Sequence, residues 1–288
     1  MEKYAIIKGY QEDFDPRHIF ECGQCFRFRK ETDKSYTIVA KNRVINVSKT
    51  GQDILLKNTT DEEVADIWYD YFDLGTDYSQ IKNRLSCDAH LKKSTAFGGG
   101  IRILNQDLWE CIISFIISAN NNIPRIQGIV ERFCERYGEK ISYNNDTYYT
   151  FPTVEKLKNV KKEDLAFLRA GYRDAYLLDA INKIVNAEVV LEKFKGYNTQ
   201  EAKKELLKIK GVGNKVADCI LLFGDRRRET FPVDVWVKRS ISEIYPDEIG
   251  ELTIHEFAQN KFSDLAGYAQ QYLFYYMREN SAGGKTNG

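Results

Sequence analysis

Two residues in the last third of this 288-residue chain, Lys215 and Asp234, have types and spacing suited to nucleophilic catalysis. Lys215 follows the sequence Gly211-Val212-Gly213, and two glycines around one apolar residue favour a sharp turn between helices. The positive end of the second helix disfavours an ammonium there, so the pattern predicts a lowered pKa for Lys215. A neutral amine in this position is a nucleophile able to form a Schiff base.

Asp234 lies directly ahead of the apolar run Val235-Trp236-Val237, where it is expected to be the N-cap of a helix. A carboxylate in that position could also stabilise positive charge that develops during a reaction. Each residue also fits a plain structural role, Lys215 as a solvated side chain and Asp234 as a cap only. The pairing of the two with a helical hairpin at about residues 203–224 is what indicates catalysis. The N–H groups left free at such a turn favour phosphate binding.

These residues need a scaffold, and the sequence predicts an α+β fold with two parts. An N-terminal antiparallel β-sheet domain is expected over residues 1–100, because short segments of β-rich composition are separated by polar turns. A mainly helical domain that contains the hairpin is expected over residues 101–288, with the break at Phe97-Gly98-Gly99-Gly100. The predicted strands are Tyr4–Ile7, Gly23–Arg29, Ser35–Ala40, Arg43–Val47 and Asp53–Leu56.

The helical part is predicted from apolar periodicity and capping residues. Leu108–Ala119 is almost entirely apolar and should be a buried central helix. The other long helices are expected at Glu62–Phe72, Tyr78–Leu85, Ile123–Tyr137, Thr253–Phe262 and Leu265–Glu279, with short helices after Phe151-Pro152.

Two polar connections between helices have both a structural and a functional interpretation. Asn120-Asn121-Asn122 joins two apolar helices, either as a simple polar link or as a loop that enters a space left in a nucleic acid. Gly171-Tyr172-Arg173 restarts a helix, either as a cap followed by solvated side chains or as an aromatic wedge beside a cation.

Composition limits the possible functions. The formal net charge is +0, which argues against a generic polycation, although Glu201–Ser240 holds ten Lys and Arg against six Asp and Glu. No run of 18 apolar residues and no signal peptide are evident, so an intracellular protein without a membrane partner is expected, and a monomer by default. Cys22 and Cys25 form the one CxxC pair, in the predicted second strand, which favours reduced thiols over a zinc site.

Six segments in the same order resemble the 8-oxoguanine DNA glycosylase/AP lyases of the helix-hairpin-helix (HhH-GPD) DNA glycosylase superfamily. They are GQCFRFR, FIISANNNIPRIQGIVERF, GYRDAY, GVGNKVADC, PVDV and AGYAQQYLF. The resemblance implies a bifunctional DNA repair enzyme that flips 8-oxoguanine, paired with cytosine, out of the duplex. It implies that Lys215 displaces the base through a Schiff base and that β-elimination then nicks the strand, with Asp234 stabilising positive charge on the sugar.

The resemblance also implies roles for the other matched positions. The lesion pocket would use the Gly23 carbonyl as acceptor for N7–H, with Cys219 and Phe274 around the base and Gln270 on its Watson–Crick edge. Asn120 would fill the vacated space, Tyr172 would wedge the stack, and Arg125 and Arg173 would pair with the estranged cytosine. Gly211, Val212 and Gly213 would meet the DNA phosphate, near a structural monovalent or calcium ion on the carbonyls of Leu207, Ile209 and Val212.

The resemblance implies no required cofactor, and no iron–sulfur cluster is expected because no cysteine follows Cys219. Two positions depart from the family pattern: Trp236 stands where a histidine is usual and Met277 where an acidic residue is usual. Two alternatives remain open at this point. One is a helix-hairpin-helix glycosylase for an oxidised pyrimidine or an alkylated purine, and the other is a non-catalytic helix-hairpin-helix DNA-binding protein.

Overall fold

The computed structural model describes residues 3–10 and 12–283. The N-terminal part is a five-stranded antiparallel sheet in the order β1-β5-β4-β3-β2. A separate hairpin of two strands, β6 and β7, follows the second long helix of the helical part. The strands are β1 (Tyr4–Ile7), β2 (Phe28–Lys30), β3 (Tyr36–Ala40), β4 (Arg43–Thr50), β5 (Asp53–Lys57), β6 (Lys140–Tyr143) and β7 (Asp146–Tyr149).

The remaining described chain is largely helical, which confirms the predicted α+β class. The α-helices are α1 (Pro16–Phe20), α2 (Asp61–Glu63), α3 (Tyr69–Tyr71), α4 (Tyr78–Leu85), α5 (Ala89–Phe97), α6 (Leu108–Ser118), α7 (Ile123–Tyr137), α8 (Lys162–Leu165), α9 (Arg173–Val185), α10 (Thr199–Leu207), α11 (Asn214–Gly224), α12 (Val235–Ile244), α13 (Pro246–Ile249), α14 (Ile254–Phe262) and α15 (Ala266–Gly283). A π-helical turn, Val64–Trp68, joins α2 to α3, and short 3₁₀ turns are Val154–Leu157, Ala166–Leu168, Leu191–Gly196 and Ser263–Leu265.

Two apolar cores divide the molecule. The smaller lies under the sheet and includes Ile38, Ile45, Leu56 and Trp68. The larger is built around α6 and α11, where Phe115 and Phe223 stack with ring centroids 5.5 Å apart. Helices α4 and α5 contribute to this larger core, although they precede it in the chain. The central helix α6 therefore supports α11, the helix that carries Lys215.

The predicted strand Gly23–Arg29 is wrong except at its last two residues, so Cys22 and Cys25 lie outside any strand. Gly23 has a φ of +87°, which turns the chain sharply. Cys25 then enters the sheet core, while Phe26 enters the helical core. The apolar alternation over this segment therefore comes from packing between two cores and not from a pleated strand.

Other elements were not predicted. They are α1, α5, α13 and the β6–β7 hairpin, all of them short. Among the residues that the structure describes, no helix has the length and apolar character to cross a lipid bilayer. The six cysteines are all free thiols.

Candidate nucleic-acid interface and active site

The helical hairpin is formed by α10 and α11, as the sequence predicts. Asn198 and Glu201 form a reciprocal capping box at the start of α10. Gly211 has a φ of +86°, and a Cβ added there would lie 2.3 Å from the ring of Tyr176. Gly213 is different: it is extended, with φ −91° and ψ −179°, so only Gly211 of the two glycines uses the left-handed region. One left-handed residue is sufficient because the chain enters α11 from an extended N-cap.

The hairpin turn is fixed to α9 by contacts that sequence reasoning missed. The carboxylate of Asp179 accepts the backbone N–H of Lys210 at 2.7 Å. Tyr176 packs against Gly211 and also contacts Tyr172 edge-on, with ring centroids 5.5 Å apart. The helical hairpin and the exposed Tyr172 therefore both pack against Tyr176. The signal in the sequence was the spacing of four residues between the two tyrosines, which puts them on one helix face.

Lys215, Cys219 and Asp234 form one electrostatic cluster. Lys215 and Cys219 are one helical turn apart on α11 and share a side-chain hydrogen bond. The predicted lowering of the Lys215 pKa is wrong: Cys219, first, and Asp234 raise it above its ordinary value of 10.5, against the opposite effect of burial. Burial also raises the pKa of the Cys219 thiol above its ordinary value of 9.0, so Cys219 acts on the ammonium as an anion only at alkaline pH. The resting site therefore holds a protonated lysine.

Asp234 is the N-cap of α12, as predicted. Its carboxylate accepts the backbone N–H of Val237 at 2.7 Å. The same carboxylate acts on the charge of Lys215 across the cluster. The capping role and a role beside the lysine are therefore compatible, because the cap bond uses one oxygen and leaves lone pairs for a second partner.

A turn at residues 21–24 is held by side chains from distant parts of the chain. The Glu21 carbonyl accepts from Arg278 Nη2, and the Cys22 carbonyl accepts from Gln271 Nε2 at 2.9 Å. The Gln24 carbonyl accepts from Gln106 Nε2 at 2.7 Å. Within residues 3–10 and 12–283, no donor reaches the carbonyl oxygen of Gly23. Three of four successive carbonyls are thus occupied, and one is left available.

Phe274 lies beside Gly23, and Gln270 lies one turn earlier on the same face of α15. A Cβ built on Gly23 would lie 3.4 Å from Phe274 Cε1 and 3.3 Å from Arg278 Nη1. The side-chain oxygen of Gln270, a buried residue, has no hydrogen-bond partner in the described part of the protein. An unpaired buried amide oxygen is costly unless a ligand completes it. The structure therefore brings Gly23 and Phe274 together, with an unsatisfied acceptor one helical turn away.

The three consecutive asparagines have three different roles. Asn121 donates to the Ile117 carbonyl at 3.0 Å and closes the end of α6. Asn122 is the N-cap of α7 and accepts the Arg125 N–H at 3.1 Å. Asn120 adopts a left-handed φ of +49° and is exposed. Two asparagines are structural, and the third presents its side chain to solvent.

Arg173 is a buried residue that holds the backbone of the asparagine loop in place. It is 2% exposed, and its guanidinium donates to the carbonyls of Ala119, Asn120 and Ala170. Tyr172 covers it at 4.4 Å and is itself 54% exposed. Arg125 is exposed, with one long contact of 3.4 Å to the Arg169 carbonyl. Tyr172 and Arg125 are thus presented to a partner, whereas Arg173 is committed to the loop, and its base-pairing role stays a prediction.

The two departures from the family pattern lie on neighbouring helices. Trp236 is 56% exposed near the start of α12, two residues after Asp234. Met277 is partly buried and packs against the helical core from α15. The two residues therefore differ in environment: Met277 is part of the packing, and Trp236 is exposed two residues from Asp234.

Metal binding by side chains finds no support in the residues that the structure covers, since no group of three or more His, Cys, Asp or Glu residues could hold an ion there. The predicted cation ligands at the hairpin are backbone carbonyls. Ile209 lies next to the turn, and its carbonyl accepts the Val212 N–H at 3.1 Å. A carbonyl oxygen has two lone pairs, so this bond leaves one for another partner.

Comparisons with known proteins agree with this geometry. Residues 113–273 match the model of the HhH-GPD superfamily of base excision DNA repair proteins, and residues 6–112 match the N-terminal domain of 8-oxoguanine DNA glycosylase. The chain therefore belongs to the HhH-GPD superfamily of base excision DNA repair proteins, in the branch that carries the 8-oxoguanine DNA glycosylase N-terminal domain. The predicted family is confirmed.

Individual relatives cover most of the chain. A structure of MBOgg1 in complex with a low-affinity DNA ligand is 46% identical, with a TM-score of 0.93, and covers 97% of this chain and 96% of its own. The 8-oxoguanine glycosylase/lyase of Clostridium acetobutylicum, bound to DNA with cytosine opposite 8-oxoguanine, is 43% identical with a TM-score of 0.91 and covers 98% of each chain. A probable N-glycosylase/DNA lyase of Methanothermobacter thermautotrophicus is 32% identical over 230 residues, 73% of each chain.

Proposed function

We propose that this protein is a bifunctional DNA repair enzyme that excises 8-oxoguanine paired with cytosine and then nicks the strand as an AP lyase. The observation that carries the proposal is the available Gly23 carbonyl, in a fixed turn beside Phe274, together with the unpaired buried oxygen of Gln270 one turn earlier on α15. The similarity to 8-oxoguanine glycosylase/lyases over nearly the whole chain supports it.

Lesion recognition uses a single backbone acceptor. The base leaves the stack and enters the pocket, where the Gly23 carbonyl accepts N7–H of 8-oxoguanine. Ordinary guanine has an acceptor at N7, so two acceptors would face each other and the contact would be repulsive. Phe274 and the buried Cys219 enclose the base, and Gln270 pairs with its Watson–Crick edge.

The chemistry uses side chains only, without a redox or organic cofactor. Lys215 loses a proton, and its Nζ bonds to the sugar C1′ while the C1′–N9 bond breaks and the base departs with the electron pair and takes up a proton. Asp234 stabilises the positive charge on the sugar. Ring opening gives a Schiff base between Lys215 and C1′. Loss of a C2′ proton then expels the 3′ phosphate.

The opposite strand is held by the exposed residues around the asparagine loop. Asn120 fills the space that the base leaves, and Tyr172 wedges the stack beside it. Arg125 donates to the O2 and N3 acceptors of the unpaired cytosine. Arg173 fixes the carbonyls of Ala119 and Asn120, and any contact of its own with cytosine requires that this loop opens.

We also propose a structural cation on the carbonyls of Leu207, Ile209 and Val212, next to the phosphate contact at Gly211, Val212 and Gly213. Hard oxygen ligands suit a calcium or monovalent ion. Such an ion supplies positive charge to a DNA phosphate. DNA affinity measured in potassium, sodium and calcium salts at equal ionic strength tests this, because an ion-independent affinity would contradict it.

The proposed partner is double-stranded DNA, bound by one protomer, which places the work of the enzyme inside the cell. The direct test is incubation with duplexes that contain 8-oxoguanine or guanine opposite cytosine. Release of free 8-oxoguanine and a nicked strand from the first duplex alone is expected. Release of an alkylated purine or oxidised pyrimidine instead would favour another lesion, and binding without release would favour a non-catalytic protein.

A further inference from the structure

The turn that presents the Gly23 carbonyl is braced by a residue to which no role has been given, Arg278. It lies one helical turn after Phe274 on α15, so the two side chains share a face. Its guanidinium carbon is 5.6 Å from the Phe274 ring centroid and 5.6 Å from that of Tyr275. Its Nη2 donates to the Glu21 carbonyl, two residues before Gly23.

The guanidinium is itself held in place. Glu279 accepts from Arg278 Nε at 3.2 Å and from Nη2 at 2.9 Å. Glu279 also lies 4.0 Å from Arg17, which pairs with the Glu21 carboxylate at 3.5 Å. These ion pairs lead back to Glu21, the residue whose backbone carbonyl accepts a hydrogen bond from Arg278. A planar guanidinium with fixed partners loses little further freedom when it orders a neighbouring turn.

The remaining nitrogen, Nη1, lies at the recognition glycine. It is 3.3 Å from the position that a Gly23 Cβ would occupy, and Phe274 Cε1 is 3.4 Å from the same point. Arg278 therefore touches both halves of the proposed base site: the turn that offers the carbonyl and the ring that stacks on the base. Gln271 holds the next carbonyl, that of Cys22, from the same helix.

We propose that Arg278 is a positioning residue for lesion recognition, which sets the Gly23 carbonyl and the Phe274 ring at the spacing that 8-oxoguanine requires. The inference rests on the proposed function. It assigns Arg278 to base recognition and not to the bond-breaking steps at Lys215 and Asp234. The separation can be measured, because strand nicking at a preformed abasic site needs the catalytic pair but no base in the pocket.

The test compares Arg278→Leu with wild type on two duplexes, one with 8-oxoguanine and one with an abasic site, each opposite cytosine. Loss of hydrogen bonds to a charged group is expected to lower kcat/KM for 8-oxoguanine release by about tenfold or more. Nicking of the abasic duplex should change by less than about twofold. The matched control is Arg84→Leu, which removes a surface arginine paired with Asp264 and should alter neither rate.

The conservative variant Arg278→Lys keeps a cation that can donate to the Glu21 carbonyl but lacks the planar group. It should recover part of the 8-oxoguanine rate, and it carries the test if Arg278→Leu does not fold. Equal losses on both duplexes, or no loss on either, would overturn the role of Arg278. An inactive wild type on 8-oxoguanine would instead overturn the proposed function, so the two failures are distinguishable.

Discussion

The helical hairpin that carries Lys215 and the turn at Glu21–Gln24 are organised in different ways. Lys215, Cys219 and the Asp234 cap are placed by local rules, namely a turn, one helical period and an N-cap bond. The turn at Glu21–Gln24 is placed by side chains that are 82 to 257 residues away in the chain. The difference indicates that chemistry and recognition can be damaged separately.

The largest expected effect is at the hairpin. Lys215→Gln removes the amine that forms the Schiff base, so base release and strand nicking should both fall by about 10⁴-fold or more. Binding of the 8-oxoguanine duplex should persist within about tenfold, because the recognition turn is untouched. Single-turnover assays and equilibrium binding measure the two quantities. Retained strand nicking would contradict the role given to Lys215.

The next effect is at the recognition turn. Gly23→Ala adds a Cβ at a φ of +87°, against Arg278 and Phe274. We expect 8-oxoguanine release to fall about 100-fold while nicking at a preformed abasic site is largely kept. Gly51→Ala is the control, since Gly51 has a φ of +62° with open space around it. If both activities of Gly23→Ala fell together, the proposed separation of the two regions would be wrong.

A smaller effect is expected on the opposite strand. Arg125→Ala should reduce the preference for cytosine opposite the lesion by about tenfold, the usual worth of an arginine–base contact. Arg136→Ala removes another exposed arginine from the same helix, about 16 Å away, and should leave the preference unchanged. The rate of 8-oxoguanine release, measured with each of the four bases opposite the lesion, tests this expectation. An unaltered preference in Arg125→Ala would show that this residue does not read the base.

The smallest effect is a shift in pH dependence. Cys219 is the first cause that raises the pKa of Lys215, so Cys219→Ala should lower that pKa. A lower pKa means that the neutral amine forms at lower pH. The rising limb of base release against pH should therefore move toward acid. A limb that stayed in place, or moved toward alkali, would show that Cys219 does not set the charge of Lys215.

The sequence predicted the local parts of the molecule well. The bounds of α4 and α7, the Asp234 cap and the hairpin follow from capping residues and apolar periodicity, which need only nearby positions. The segment Gly23–Arg29 was mistaken for a strand because its apolar residues alternate between two cores.

The hydrogen bonds from Gln271 and Arg278 to the carbonyls of Cys22 and Glu21 could not be predicted from local sequence, since the partners are about 250 residues apart. The raised pKa of Lys215 was missed for two reasons. Its first cause, Cys219, is one helical turn away on α11 but was assigned only to the base pocket, and Asp234 approaches across the fold. The sequence also assigned Arg173 and Arg125 the same role, because it could not show that Arg173 is buried and Arg125 is exposed.

The central claim is that Lys215 forms a covalent intermediate on a sugar from which 8-oxoguanine has left. Borohydride trapping on a duplex with one 8-oxoguanine opposite cytosine, beside an undamaged duplex, tests it most directly. We predict a protein–DNA adduct on the lesion duplex alone, absent in Lys215→Gln. Release of the base with no adduct would contradict the account, because the enzyme would then cut the glycosidic bond without Lys215 as its nucleophile.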